Sequence, residues 1–284
     1  MPEHDDDARR AYWVAQMEEA HRFMAAVGDY PVAECGERAV SLRDAADAAG
    51  VEVEFSSKPH VNGGPRLFLL REGLIPDFIA CARAMNDRGW VLKVEDGFRT
   101  RPMQKLLALQ EATFDAILRR VTWECGGKCP TADLMLRRTG VLVALKPMNG
   151  THMSASAMDI SVLDRDGRGE VDRGGPYLEM SERTPMASPF VSEDARENRR
   201  AITELMAASG LVAYPWEFWH YSRGDAYDGL LNRTGRPARY GPVDVDLSDG
   251  SVAPMEDLTA PLNTREDIER EIARALSRAA PRAT

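Results

Sequence analysis

A carboxylate inside an apolar segment constrains this chain more than any other feature. Residues 157–163 are mostly apolar and read as a buried β-strand, but they include Asp159. Burying a carboxylate is unfavourable unless it is paired or binds a metal ion. The strand follows a loop of small residues that contains His152, seven positions before Asp159. The sequence therefore predicts a buried polar site here, with room for an ion and a substrate.

A second histidine, His220, ends the aromatic segment Trp-Glu-Phe-Trp-His at 216–220. Such neighbours imply a desolvated setting, which raises the pKa of Glu217 and strengthens metal binding. Two histidines and one carboxylate are the ligands of an open catalytic zinc site, with Glu217 as a general base. Glu217 and His220 share one site only if the backbone bends or forms a helical turn, because residues i and i+3 of a flat strand face opposite ways. Histidine–aspartate pairs also occur by chance, so spacing alone leaves an unrelated pair as the alternative.

Three other basic residues, Arg99, His21 and His60, are candidates for a functional site. Arg99 follows the predicted strand 90–94, and it is either a solvated turn residue or a fixed cation that stabilises an oxyanion. His21 lies off the apolar face of its predicted helix and is expected to be solvated. His60 lies in a Pro/Gly loop, and spacing predicts no partner for it.

Composition narrows the class of protein. The 284 residues carry a net charge of −9, which disfavours nucleic acid and anionic membranes as partners. The sequence contains no apolar run of about 18 residues, and its acidic N-terminus does not resemble a secretory signal. Four thinly spread cysteines do not form a disulfide framework. We therefore expect a cytoplasmic protein.

The pattern of helices and strands predicts an α+β fold, because short strands mix irregularly with helices. Helices are predicted from about residue 5 to 28 and over 75–88, 102–121, 193–209 and from 264, and strands over 51–55, 66–70, 90–94, 141–145 and 157–163. We divide the chain into a helical N-terminal extension packed on the core (1–50), a core (51–245) and an irregular wrap with a last helix (246–284).

Three motifs in order resemble the zinc D-alanyl-D-alanine dipeptidases, a branch of a larger family that also contains D,D-carboxypeptidases. Residues 150–159 correspond to that family's Ser-x-His-x-x-Gly-x-Ala-x-Asp, with Gly150 in place of the Ser and Ala155 in place of the Gly. Residues 97–99 correspond to its Gly-Tyr-Arg, with Phe98 in place of the Tyr, and residues 217–220 match its Glu-x-x-His. The resemblance covers about residues 51–245. It implies a compact α+β domain with a central antiparallel sheet flanked by helices.

The resemblance also implies the roles of the site residues. The zinc ligands would be His152, Asp159 and His220, the base would be Glu217, and Arg99 would polarise the scissile carbonyl. The partner would be a small peptide or amide substrate. The sequence predicts no oligomeric state.

Departures from the family pattern bear on the substrate. Our alignment places Leu178 where the dipeptidases carry an aspartate that holds the substrate ammonium, with Glu179 next to it. We therefore expect either a D-alanyl-D-alanine dipeptidase or, as the alternative, an amidase or carboxypeptidase-like enzyme acting on an N-acylated or specialised peptide. A D,D-carboxypeptidase of wall peptides would need export. A non-catalytic binding protein of the same fold would have lost a ligand or the base.

Overall fold

The computed structural model describes residues 3–167 and 169–279. Its helices are α1 (Glu3–Gly28), α2 (Leu42–Ala49), α3 (Ile75–Asp87), α4 (Arg101–Leu107), α5 (Glu111–Glu124), α6 (Ala132–Leu142), α7 (Glu193–Ala208), α8 (Ala226–Leu231) and α9 (Arg265–Ala279). Its strands are β1 (Ala39–Ser41), β2 (Val53–Phe55), β3 (Leu69–Arg71), β4 (Trp90–Asp96), β5 (Ala157–Asp164), β6 (Gly169–Glu170), β7 (Val212–Ala213), β8 (His220–Ser222), β9 (Val243–Val245) and β10 (Val252–Pro254).

A six-stranded sheet forms the centre of the fold, as the α+β prediction required. Its order is β2-β4-β5-β8-β7, and β6 also pairs with β5. Four of these pairings are antiparallel, but β2 runs parallel to β4. The sheet is thus antiparallel except at one edge. The chain between β2 and β4 includes α3, which is the crossover that a parallel pair needs.

The two faces of β5 have different surroundings because side chains alternate along a strand. Met158, Ile160 and Val162 join a buried apolar cluster with residues of α3 and α7. Asp159 and Ser161 therefore point to the opposite face, and both are almost completely buried. This alternation directs Asp159 away from the apolar layer and into a polar pocket.

Helix α1 packs on a second apolar cluster, which lies beside that pocket. The apolar side chains that α1 places at intervals of three and four residues are all buried: Trp13, Met17, Ala20, Met24 and Val27. They share the cluster with residues of α5 and α6 and with Ile268, Ile272 and Ala275 of α9. Leu276, also on α9, is half exposed. Helices α1 and α9 thus contribute to one core with α5 and α6. The boundaries at residues 50 and 245 remain our proposal.

Two predicted elements are wrong. The helix expected over 102–121 is divided into α4 and α5, although neither Gly nor Pro marks the break. Ala108, directly after α4, and Phe114 of α5 are both fully buried in the core. The strand expected over 141–145 is instead the last two residues of α6, Val141 and Leu142, followed by irregular chain. Helix α6 begins at Ala132 and is capped by Thr131, whose Oγ1 accepts a hydrogen bond from the Leu134 N–H at 3.3 Å. A short apolar run fits a strand and a buried helix end equally well.

Candidate metal centre

Sheet register brings three polar residues side by side. Asp159 of β5 lies opposite Asp96 of β4 on one side and opposite His220 of β8 on the other. Directly opposed residues of adjacent strands project from the same face of a sheet. All three side chains are buried. The pocket therefore has a rigid floor built from three neighbouring strands.

His152 reaches this floor from a 3₁₀ turn, Thr151–Ser154, that precedes β5. The turn ends at Ala155, whose φ of +50° lies in the left-handed region and reverses the chain into the strand. The Nδ1 of His152 is 2.6 Å from the Gly97 carbonyl oxygen, and its Nε2 is 3.1 Å from Oδ1 of Asp159. The carbonyl accepts a hydrogen bond from the Nδ1–H group, so Nε2 is the ring nitrogen available to bind a metal ion.

His220 approaches the same carboxylate oxygen from β8. Its Nδ1 lies 3.0 Å from Oδ1 of Asp159, and its Nε2 lies 2.8 Å from Oγ1 of Thr151. One ligand atom from each of His152, Asp159 and His220 lies within 4.8 Å of the others. Among residues 3–167 and 169–279, these three form a group that could hold a metal ion.

Charge in the pocket favours the ligand forms of these side chains. Burial alone would raise the pKa of Asp159, but His152, His220 and Arg99 together hold it well below its usual range. Burial and the Arg99 guanidinium lower the pKa of His152. An ionised carboxylate and a neutral imidazole are the states that bind metal.

Arg99 is fixed by two carboxylates. Its Nε donates to Oδ2 of Asp96 at 2.8 Å and its Nη2 donates to Oδ2 of Asp159 at 2.9 Å. Asp96 is also 3.2 Å from Nε2 of His60 and 3.2 Å from Nη1 of Arg66. Arg99 is therefore a buried, held cation rather than a solvated turn residue.

Glu217 lies on the tight turn that the spacing required. The Glu217 N–H donates to the Tyr214 carbonyl at 3.2 Å, and the His220 N–H donates to the Glu217 carbonyl at 3.2 Å. This turn brings Glu217 to the same small cavity, of about 40 Å³, that Arg99 and the His–Asp–His group line. Burial, and then the charge of Asp159, raises the pKa of Glu217 well above its usual range.

Of the adjacent residues Leu178 and Glu179, only Leu178 lines this cavity. Leu178 lines it with 41% of its surface exposed and with a φ of +67°. The Glu179 carboxylate instead accepts hydrogen bonds from Arg183 Nη2 at 2.9 Å and from the Ser181 hydroxyl. Glu179 is thus paired outside the cavity and does not take the place of a cavity carboxylate.

Three residues around the pocket were not predicted from the sequence: Asp96, His60 and Tyr177. Asp96 and His60 support Arg99, and the Tyr177 hydroxyl donates to Oδ2 of Asp159 at 2.9 Å. Asp96 carried one usable signal, since it is a carboxylate at the end of a predicted buried strand. His60 and Tyr177 lie in irregular segments, where spacing gives no indication of a partner.

Comparison with known proteins identifies the family. Residues 65–236 match the peptidase family described as D-Ala-D-Ala dipeptidase, which is more than half of the chain. The chain belongs to this family. Its members are metallopeptidases, so the protein is a hydrolase of peptide bonds.

Several curated D-alanyl-D-alanine dipeptidases are similar to this chain. The enzyme of Synechocystis sp. is 24% identical over 220 residues, which is 69% of this chain and 85% of that protein. The Enterococcus faecium enzyme is 34% identical over 71 residues, which is 25% of this chain and 35% of that protein. The Escherichia coli enzyme is 30% identical over 74 residues, 26% of this chain and 38% of that protein.

Two solved structures are also similar. One is the LD-carboxypeptidase LdcB, with 15% identity, a TM-score of 0.38, and coverage of 75% of this chain and 78% of that one. The other is a mutant of the vancomycin-resistance D,D-pentapeptidase VanY in complex with Zn(II). It has 18% identity, a TM-score of 0.35, and coverage of 67% of this chain and 89% of that one.

Proposed function

We propose that this peptidase hydrolyses a small peptide or amide with Zn²⁺ held by His152, Asp159 and His220. The observation that carries the proposal is the convergence of these three buried side chains beside Glu217 and Arg99. Two histidines and one carboxylate leave an open coordination position, which is typical of catalytic zinc and not of structural zinc.

The donor set suits such an ion. The hydrogen bonds from His152 to the Gly97 carbonyl and between His220 and Thr151 orient both rings, as supporting groups do around metal ligands. When bound, Zn²⁺ would act as a Lewis acid toward the substrate carbonyl and would make water more acidic.

Glu217 is the proposed general base. Its raised pKa matches a group that takes a proton from water and then returns it to the leaving nitrogen. The turn at 214–220 fixes the carboxylate in the cavity, so proton transfer requires no large movement of the backbone.

Arg99 is the proposed electrophile for the substrate carbonyl oxygen. Asp96, Asp159 and Gln104 accept one hydrogen bond each from the guanidinium. A guanidinium has five N–H donors, so donors are left for the oxygen that becomes negative during attack. A cation already held in place stabilises that charge without reorganising.

The leading substrate is a D-alanyl-D-alanine-like dipeptide, and the rim residues favour a second candidate. With Leu178 at the cavity and Glu179 paired to Arg183, no carboxylate at these two positions meets a substrate ammonium. An uncharged N-acylated dipeptide or related amide would avoid burying that ammonium unpaired. All five proposed site residues are present, which argues against a binding protein without activity.

The experiment is hydrolysis by the zinc-loaded protein of D-Ala-D-Ala and of N-acetyl-D-Ala-D-Ala, each with a chelator-treated control. Chelator-sensitive release of D-Ala from the first supports the dipeptidase, and release from the second alone supports the N-acyl alternative. Turnover that survives removal of the metal would contradict the proposal.

The described residues include no helix long and apolar enough to cross a membrane. A cytoplasmic location and the exclusion of nucleic acid as a partner stay predictions from the sequence.

A further inference from the structure

A tyrosine hydroxyl contacts a proposed metal ligand from outside the cavity. The Tyr177 hydroxyl donates to Oδ2 of Asp159 at 2.9 Å. Tyr177 does not itself line the small cavity beside the His–Asp–His group, which we call the catalytic cavity. Its hydroxyl is therefore placed to act on Asp159 and not on a substrate.

Tyr177 lies in a tight turn that begins at Pro176. The Glu179 N–H donates to the Pro176 carbonyl at 3.0 Å, which closes a four-residue β-turn. Leu178, the third residue of this turn, has a φ of +67°, and a type II turn requires a positive φ at that position. A leucine in the left-handed region persists only where the surrounding structure fixes the backbone. The turn directs its two central side chains differently, since Leu178 lines the catalytic cavity while Tyr177 reaches Asp159.

The ring of Tyr177 packs on the segment that carries two other site residues. It meets Trp219 edge-on, with ring centroids 5.7 Å apart and an interplanar angle of 87°. Trp219 is buried and lies between Glu217 and His220 in the sequence. Aromatic pairs favour this edge-to-face arrangement beyond what burial alone contributes. The direction of the Tyr177 hydroxyl is therefore set by contact with the same turn that positions Glu217 and His220.

The two oxygens of Asp159 meet different partners. Nε2 of His152 lies 3.1 Å from Oδ1, and Nδ1 of His220 lies 3.0 Å from the same oxygen. Oδ2 instead accepts hydrogen bonds from Arg99 Nη2 and from the Tyr177 hydroxyl, both at 2.9 Å. Because a carboxylate oxygen has two lone-pair directions, these two donors occupy Oδ2. Oδ1 is the oxygen left to bind a metal ion together with the two histidines.

The number of oxygens that Asp159 supplies decides whether a metal ion keeps an open position. Two histidine nitrogens and one carboxylate oxygen leave a further position for water or substrate. A carboxylate that bound through both oxygens would occupy more of the coordination sphere. A hydroxyl has a single proton to donate, and Tyr177 commits it to Asp159, whereas Arg99 has donors left for a substrate.

We propose that Tyr177 is a positioning residue that keeps Asp159 a one-oxygen ligand and so keeps a coordination position open for water or substrate. Tyr177 acts through Asp159 and contacts no reacting atom. This inference rests on the proposed function, because it refines the metal centre of that site.

The test is the Tyr177→Phe variant loaded with Co²⁺, whose visible absorption weakens as its coordination number rises. The substitution removes only the hydroxyl and keeps the ring beside Trp219. We expect the affinity for Co²⁺ to fall about tenfold, as it does when a hydrogen bond to a metal ligand is lost. At saturating Co²⁺ the visible absorption should be weaker than that of the wild type, because Asp159 can then bind through both oxygens.

Tyr221→Phe is the matched control and should keep the wild-type affinity and spectrum. Tyr221 is fully buried, and its hydroxyl lies 3.0 Å from Oγ1 of Thr203, away from the proposed ligands. A wild-type spectrum of Tyr177→Phe at saturating Co²⁺ would overturn the proposal even if the affinity falls. Equal spectral changes in the two variants would overturn it as well, because any buried hydroxyl would then have the same effect.

Metal binding needs no turnover, which separates this inference from the proposed substrates. The expected spectral change in a protein that hydrolyses neither dipeptide would refute those substrates and leave the role of Tyr177 in place. A wild-type protein that binds no metal would refute the metal centre and this inference together.

Discussion

Asp159 and His220 are directly opposed across β5 and β8, with Oδ1 and Nδ1 3.0 Å apart. Their meeting is a consequence of strand pairing and not of a flexible loop. A shift of one residue in this register would turn one of the two side chains to the other face. The positions of two of the three proposed ligands are therefore as rigid as the sheet itself.

His220→Ala should remove metal from the protein. The remaining His152 and Asp159 offer only two ligands, which do not hold zinc in a three-ligand site. Metal content after dialysis, measured by atomic absorption, should fall from about one ion per chain to near zero. His21→Ala is the matched control, because His21 lies on α1 outside the cluster. Unchanged metal content in His220→Ala would refute the ligand assignment.

Glu217→Gln should keep the metal and lose turnover. The amide preserves the shape of the side chain but cannot accept the proton, so we expect kcat to fall about 10²- to 10⁴-fold. Metal content and the unfolding temperature report whether the site is otherwise intact. Turnover near the wild-type level would remove Glu217 as the base.

Arg99→Lys should lower kcat while metal binding persists. A lysine carries the charge but cannot reproduce the fork that donates to Asp96 and Asp159 together. Loss of one oxyanion donor costs about 10²- to 10³-fold in kcat. Arg66→Lys is the control, since Arg66 also pairs with Asp96 but does not line the catalytic cavity. Equal effects of the two variants would mean that Arg99 acts only by supporting Asp96.

The sequence allowed prediction of the fold class and of the residues that meet at the pocket. Asp159 could be predicted as a site residue because a carboxylate in an apolar strand is rare. The spacing of Glu217 and His220 required a turn of the backbone, and the chain makes that turn. The order of the three motifs further predicted that these two segments lie close to Arg99 in the fold. Spacing along the chain does not predict this contact.

Contacts that depend on tertiary packing could not be predicted. His60 meets Asp96 only because the loop before β3 folds over the end of β4. Glu179 and Leu178 are adjacent in sequence, and only the local backbone decides which of them faces the cavity. Residues 141–145, which are the end of α6 and the irregular segment after it, were predicted as a strand because five apolar residues carry no period of their own.

Leu178→Asp should shift substrate preference toward dipeptides with a free amine. The new carboxylate would stand at the rim of the cavity, where it can pair with an ammonium group. We expect the ratio of kcat/KM for D-Ala-D-Ala to that for its N-acetyl form to rise about tenfold or more, which corresponds to about 1.4 kcal/mol. Leu178→Asn is the control, since it is polar but uncharged. An unchanged ratio in both variants would show that Leu178 does not contact the amino end of the substrate.

Trp13→Ala should destabilise the whole protein and not only α1. Trp13 is fully buried, and its Nε1 donates to Oε2 of Glu124 on α5 at 2.9 Å. Truncating a buried tryptophan costs about 3–5 kcal/mol, and it also leaves Glu124 with one donor fewer. Urea unfolding followed by circular dichroism should show a single transition at lower denaturant concentration. Leu276→Ala, at a half-exposed position of α9, should change the free energy of unfolding by no more than about 0.5 kcal/mol. A separate early transition in Trp13→Ala, with the main one unmoved, would mean that α1 is an appendage and not part of the core.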